Sequence, residues 1–325
     1  MDIMFYEVFE EEKDALERYL PKEWQVGWTS DTIQSQNSPA PPAAIISTRT
    51  QSHIPSDWHR SLKAIVTRST GYDHLIHFNA EHHDKVKCGY LPKYCSRAVA
   101  EHAVMCWIAL AKKFKKQVLQ FNEFNRDGLT GDEFVQSKVL VVGVGNIGED
   151  VVSILKALGM QVKGVDIVKK IEGLAYVGLE EGIRWADGLI ATLPLTDKTN
   201  ALIQADMLKK AKPGFLVVNV GRGEVTPTVD LLHLLNENHL GGVALDVFEE
   251  ESDLAATLQG TQVERNETIS EILELKDNVN AILTPHNAFN TKQAVDRKAK
   301  QTVESIQQFL SKGSLPWVVP VHLNA

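Results

Sequence analysis

Residues 139–166, VLVVGVGNIGEDVVSILKALGMQVKGVD, constrain the fold more than any other stretch of the chain. Val139 to Val142 form an apolar run that meets Gly143, Gly145 and Gly148. Val151, Val152, Leu155 and Leu158 then recur at helical spacing, and a second apolar run, Val162 to Val165, ends at Asp166. Strand, glycine turn, helix, strand and acid, in that order, are the context in which G-x-G-x-x-G reads as a dinucleotide fingerprint. Gly143 lets the chain turn, Gly145 lets the backbone approach a pyrophosphate, and Gly148 lets helix and strand pack closely. The start of the helix offers N–H groups and a positive dipole end to phosphate. Asp166 lies roughly twenty residues beyond the first glycine, where a carboxylate accepts from a ribose 2′-OH and repels a 2′-phosphate. Ile167 and Val168 bring no charge to receive such a phosphate, although Lys169 and Lys170 follow, so NAD is favoured over NADP.

At 325 residues the chain is too long for one small core and suits two domains. Its 43% hydrophobic and 23% charged residues fit a folded globular chain and not a disordered one. A net charge of −8 argues against an extended nucleic-acid or anionic-membrane surface. Cys88, Cys95 and Cys106 form no CxxC pair and no metal-ligand spacing, so no metal is expected and the thiols read as reduced, in a cytoplasm. The N-terminal residues show no basic segment followed by a long apolar core, and no apolar run approaches the ~20 residues of a membrane span.

In chain order, Ile3 to Phe9 reads as a strand and Glu10 to Tyr19 as a helix with an acidic start. The segment 35–44, with Pro39, Pro41 and Pro42, is loop; 44–47 and 64–67 are short buried strands. This alternation predicts a small α/β layer before Leu91-Pro92-Lys93-Tyr94, a crossing between domains. Ser96 can cap a helix over 97–116 that is apolar on most sides and therefore buried in a core or against another chain. From Val139 onward, strands are expected at 139–142, 162–165, 188–193, 214–220, 242–248 and 280–283. Helices at 204–211 and 228–236 stand among them, which indicates a parallel, doubly wound sheet. A final helix spans 291–310, and the tail Pro316-Trp317-Val318-Val319 returns to the first domain. The expected organisation is 1–96, first part of a substrate domain; 97–295, a nucleotide domain; 296–325, the substrate domain's C-terminal return.

In such sheets ligands collect at the carboxyl ends of the strands. Gly221-Arg222-Gly223-Glu224, Glu249-Glu250-Glu251 and Thr284-Pro285-His286-Asn287 each follow a late strand, bringing an arginine, an acid and a histidine to one edge. Reduction of a carbonyl puts negative charge on oxygen, and histidine is the side chain best suited to deliver a proton near neutral pH. A neighbouring carboxylate would hold the imidazole tautomer, and an arginine would clamp a substrate carboxylate. Taken singly, His286 is an ordinary loop histidine, Arg222 an inter-domain ion pair and the glutamates solvated surface; their convergence on one edge favours chemistry. Spacing does not choose among the three glutamates.

Seven motifs in order carry a resemblance to the D-isomer-specific 2-hydroxyacid dehydrogenase family. They are STGYDHL (69–75), AEHAV (100–104), GVGNIG (143–148), LPLTDKTNALI (193–203), NVGRGEV (219–225), ALDVFEEE (244–251) and TPHNAF (284–289). The resemblance implies an α/β fold of two domains, a Rossmann-type doubly wound parallel sheet inserted into a smaller flavodoxin-like α/β substrate domain. It implies Arg222, Glu251 and His286 as the catalytic set, the glutamate being chosen by its offset from the aspartate of the DVF motif. Cofactor contacts would be Gly143, Gly145, Asn146, Ile147, Gly148, Asp166, Leu193, Pro194, Thr199, Val220, Gly221 and Asp246. Thr70, Gly71, Tyr94 and Arg222 would meet the substrate, a small 2-oxo or 2-hydroxy acid, and the helix 97–116 would form a homodimer interface.

Tyr94, TPHNAFNT and the long spacing from Glu251 to His286 resemble the D-lactate dehydrogenase branch. Asn290 stands where that branch usually has tyrosine, and Ser252 where many relatives have proline. The stretch 252–277 reads as an insertion near the cleft. Other expectations to weigh are a glyoxylate, hydroxypyruvate or phosphoglycerate dehydrogenase and an NAD-sensing corepressor-like protein. A phosphorylated substrate calls for extra cations, for which Arg49 and Arg68 are the candidates, and the absence of a further domain after Ala325 argues against the long phosphoglycerate enzymes.

Overall fold

The computed structural model describes residues 1–260 and 266–321. Its chain divides into two compact units, Met1–Cys95 with Asn290–Ala325, and Ser96–Phe289.

The first unit is built on five parallel strands, β1 (Ile3–Phe5), β2 (Val26–Trp28), β3 (Ile45–Thr48), β4 (Ala64–Thr67) and β5 (Lys87–Gly89), in the order β2-β1-β3-β4-β5. This is the flavodoxin-like order. Successive strand residues point to opposite faces. Ile45, Ala64 and Val66 therefore pack under the helices Glu10–Glu17 and Lys292–Lys312, while Ile46 and Ile65 meet Trp58, Leu62 and Phe78 on the other face. The tail returns as expected: Val318 bridges Gly89, and Asn79 donates to the Val319 and Pro320 carbonyls.

The second unit carries seven parallel strands: β6 (Lys138–Val142), β7 (Gln161–Val165), β8 (Ala175–Tyr176), β9 (Gly188–Ala191), β10 (Phe215–Asn219), β11 (Leu240–Leu245) and β12 (Ala281–Leu283). Their order, β12-β11-β10-β9-β6-β7-β8, is the Rossmann arrangement with its reversal between β6 and β9. The central strands are buried on both faces, which is why they read as continuous apolar runs.

Several expectations are corrected. The helix over 97–116 is two: Ser96–Ala111 and Phe114–Gln120. Lys113 takes a left-handed φ of 52°, and the Ala111 carbonyl accepts from the Asp132 N–H, so the first helix cannot continue. A boundary at 295/296 would cut the helix Lys292–Lys312; the units part at Phe289/Asn290, just before the Thr291 side chain caps that helix by accepting from the Ala294 N–H. The first strand stops at Phe5, because Glu7 turns the chain with φ 56°. The stretch 252–277 is no plain insertion, although residues 261–265 lie outside the described ones. Its helix Glu267–Asp277 buries Ile269, Ile272 and Leu275 in the core and forms part of the crossover from β11 to β12. Among the described residues no helix is long and apolar enough to cross a membrane.

Candidate active site

All seven strands of the second unit run the same way, so Gly143, Asp166, Leu193, Arg222, Asp246 and His286 leave one edge of the sheet. Gly143 turns with φ 92°, and a Cβ on Gly148 would lie 2.0 Å from the Gly143 carbonyl oxygen. That contact lets the helix Asn146–Ala157 start directly beneath the turn. The helix has no side-chain cap, and nothing would crowd a Cβ on Gly145, so the backbone there is open to a pyrophosphate. Asp166 accepts from the Val144 N–H at 2.6 Å and the Val168 N–H at 2.8 Å, which fixes its carboxylate beside the turn. Ile167 next to it is 90% exposed. The Thr192 hydroxyl donates to the Gly143 carbonyl at 2.5 Å, a support that the motif reading missed. Thr199 closes the Pro194 loop, donating to the Pro194 carbonyl at 2.7 Å. A helix start without a side-chain cap, a glycine turn and an anchored acid fit an NAD molecule.

Arg222 leaves β10 on a turn built by Asn219, which accepts from the Gly221 N–H (2.9 Å) and donates to the Arg222 carbonyl (2.8 Å). A Cβ on Gly223 would fall 2.1 Å from the Phe248 backbone carbon, so this turn packs directly on the segment that follows β11. The guanidinium Nη1 donates to the Gly221 carbonyl at 2.8 Å.

The three glutamates separate cleanly. Glu249 accepts from the Thr228 N–H at 2.7 Å, Glu250 accepts from the Asn266 side chain, and Glu251 meets His286. His286 Nδ1 lies 2.7 and 2.9 Å from the two Glu251 carboxylate oxygens. A carboxylate only accepts, so Nδ1 carries the proton and Nε2 is left for another partner. His286 itself holds φ 48° and Glu250, just before its partner, φ 51°. Left-handed backbone outside glycine costs about 1–3 kcal/mol and concentrates at functional sites.

The loop bearing His286 hangs on Asp246, which is 2% exposed. Its carboxylate accepts from the Thr284 hydroxyl (2.6 Å) and from the N–H groups of Asn287 and Ala288 (both 2.9 Å). His102 Nε2 lies 3.1 Å from the Thr284 hydroxyl. Neither Thr284 nor His102 stood out in the sequence, although each sits inside a quoted motif.

In the first unit, Thr70 and Gly71 follow β4, and the Thr70 hydroxyl donates to the Leu91 carbonyl at 3.0 Å. Tyr94 is buried, and burial pushes its phenol well above the usual tyrosine range. Arg68, expected as a cation for phosphate, is corrected: it is fully buried and ion-paired to Glu12, Nε to Oε1, at 3.0 Å.

A doubly wound dinucleotide fold with a histidine–carboxylate pair at its ligand edge defines a class of nucleotide-dependent oxidoreductases. Residues 104–288 match the family model described as D-isomer specific 2-hydroxyacid dehydrogenase, NAD binding domain. The D-specific alpha-keto acid dehydrogenase of Enterococcus faecalis is 30% identical over 250 residues, 76% of each chain. The aromatic 2-oxoacid reductase of Clostridium sporogenes is 29% identical over 259 residues, 78% of this chain and 77% of the relative. Among solved structures, the D-lactate dehydrogenase of Aquifex aeolicus, complexed with NAD and lactic acid, superposes with a TM-score of 0.85 at 25% identity. That match covers 97% of this chain and 99% of the other. The chain belongs to the D-isomer specific 2-hydroxyacid dehydrogenase family and is an NAD-dependent oxidoreductase.

Proposed function

We propose that the protein interconverts a short 2-oxo acid and its D-2-hydroxy acid, in the manner of a D-lactate dehydrogenase. The observation that carries this reading is the 2.7 Å contact between Glu251 and His286 at the strand edge from which Arg222 also leaves. NADH, when bound, would supply the hydride. His286 Nε2 delivers the proton to the carbonyl oxygen, and Glu251 keeps Nδ1 protonated and steadies the imidazolium. Arg222 clamps the substrate carboxylate with its planar fork. Thr70 and Gly71 meet the same carboxylate through backbone N–H groups, and Tyr94 stands against the substrate. The segments 143–148, 193–199 and 220–221, with Asp166 and Asp246, hold NAD. On this reading the first unit is the substrate domain, and the enzyme is a cytoplasmic homodimer formed through the helix Ser96–Ala111.

The test is NADH oxidation with pyruvate, 2-oxobutyrate, phenylpyruvate, glyoxylate, hydroxypyruvate and phosphohydroxypyruvate, with NADPH in parallel. Turnover is expected with NADH, and His286→Ala is expected to lower it by roughly 10²–10⁴ while NADH affinity holds. Near-normal turnover in that variant removes His286 from the proton-donor role. NADH binding without turnover of any acid points to a sensor.

A further inference from the structure

The loop that presents His286 is held at both ends by one carboxylate. Asp246 takes the Thr284 hydroxyl before the histidine and the Asn287 and Ala288 N–H groups after it. Between them the His286 N–H donates to the Thr284 carbonyl at 2.9 Å, and the residue keeps its left-handed φ of 48°. Such a backbone persists only where its surroundings over-determine it. Two of the three clamps are backbone N–H groups, whose direction the chain fixes. The third is a hydroxyl, which rotates and can turn its hydrogen elsewhere.

The helix Ser96–Ala111 supplies what stops that rotation. Arg97 and Glu101, one turn apart, pair with each other at 2.6 Å on its exposed side. His102 turns the other way, on the face of the buried Ala98 and Cys106. Its side chain is 16% exposed, and Nε2 lies 3.1 Å from Thr284 Oγ1 and 3.8 Å from Asp246 Oδ1. Proton counting gives each bond its direction. A carboxylate only accepts, so Thr284 gives its single hydroxyl proton to Asp246 at 2.6 Å, and its oxygen is left to accept. His102 Nε2 must then carry the hydrogen between them. That nitrogen is the opposite one to His286, where Nδ1 holds the proton against Glu251. Burial, and after it the Asp246 carboxylate, push the Cys106 thiol up to about 12, so the charge of Asp246 is felt across this face of the helix. Successive hydrogen bonds in such a chain polarise and strengthen one another.

We infer that His102 is a positioning residue of the reaction: by donating to Thr284 it fixes the hydroxyl on Asp246, and with it the loop that aims the His286 imidazole. The inference rests on the proton-donor reading of His286.

The experiment measures kcat and NADH affinity in His102→Leu, His102→Gln, Thr284→Val and the double variant His102→Leu with Thr284→Val. His102→Leu loses the donor and should lower kcat roughly 10–100-fold with NADH affinity held within about threefold, the scale of a misplacement near 1 Å. His102→Gln keeps an N–H close to the Nε2 position and should restore most of the loss, which a packing role would not allow. Thr284→Val should match His102→Leu, and the double variant should lose no more than either, because both act on one link. Wild-type kcat in His102→Leu, no recovery with glutamine, or losses that add in the double variant overturn the inference. If His102→Leu fails to fold, nitrogen NMR of the wild-type imidazoles decides: a hydrogen on His102 Nε2 supports the link and a bare Nε2 overturns it. Undiminished turnover in His286→Ala removes the proton-donor reading instead, and the same spectrum then judges the link by itself.

Discussion

Glu249, Glu250 and Glu251 have the same side chain and three different partners, because the left-handed turn at Glu250 and the helix start at Glu251 aim each a different way. Nothing in a run of identical residues marks that turn, which is why spacing left the choice open and only the family offset pointed to Glu251. Glu12 was less legible still. An acid in the first turn of a helix reads as a dipole partner on the surface, yet it is fully buried between Arg68 and Lys298. Burial raises its pKa, but the two cations outweigh that and hold it at about 2 against 4.5. Its contribution to stability is therefore complete above about pH 4.5 and is lost as pH falls through about 2. Lys298 gives a slope of the same sign in a higher window: the unfolded chain holds its proton more tightly between about 7 and 10.5, so stability rises with pH there too. Glu12→Gln removes the carboxylate that Arg68 and Lys298 share and should cost roughly 3–5 kcal/mol at neutral pH, read from urea unfolding. It should also flatten the acid limb of the stability profile. Wild-type stability and an unchanged acid limb would remove the cluster from the support of this unit.

At the level of elements, the glycine turn and its flanking strands were legible because a parallel strand buried on both faces leaves an unbroken apolar run. β2, β5 and β8 were not, since Val26–Trp28, Lys87–Gly89 and Ala175–Tyr176 are too short to show a period. The break at Lys113 was hidden for another reason: its cause is the Asp132 N–H, distant in sequence. The turn itself makes a sharp prediction. Gly148→Ala brings a methyl group within 2.0 Å of the Gly143 carbonyl oxygen, so the helix must back away from the phosphate site. NADH affinity, followed by fluorescence titration, should drop on the order of 10²-fold, the scale of a ~1 Å misplacement. An unaltered titration would mean that the turn does not hold the pyrophosphate.

At the scale of the molecule, one apolar region of the second unit stays uncovered among the described residues. Met105 is 52% exposed and Phe114 57%, with Ile108 beside them, and Val118, Leu119, Phe121 and Phe124 extend the surface along the next helix and turn. Exposed apolar surface on this scale marks an interaction site, and a second copy of the chain is the occupant proposed above. Light scattering should give twice the 36.1 kDa of one chain, and Met105→Glu with Phe114→Glu should return it to a single copy. A wild type that scatters as one chain at micromolar concentration rules the dimer out.

The unit that opens the sequence is also the unit that closes it. Glu12 finds its ammonium partner at Lys298, and β5 finds Val318, only after the whole of Ser96–Phe289 has intervened. As the ribosome delivers the chain, the nucleotide sheet has all of its strands before the first sheet has its covering helix Lys292–Lys312. Until that helix emerges, Ile3, Phe5, Leu16 and Ile45 lack the neighbours that bury them. The unit whose strands are translated ahead of the nucleotide sheet is therefore completed after it.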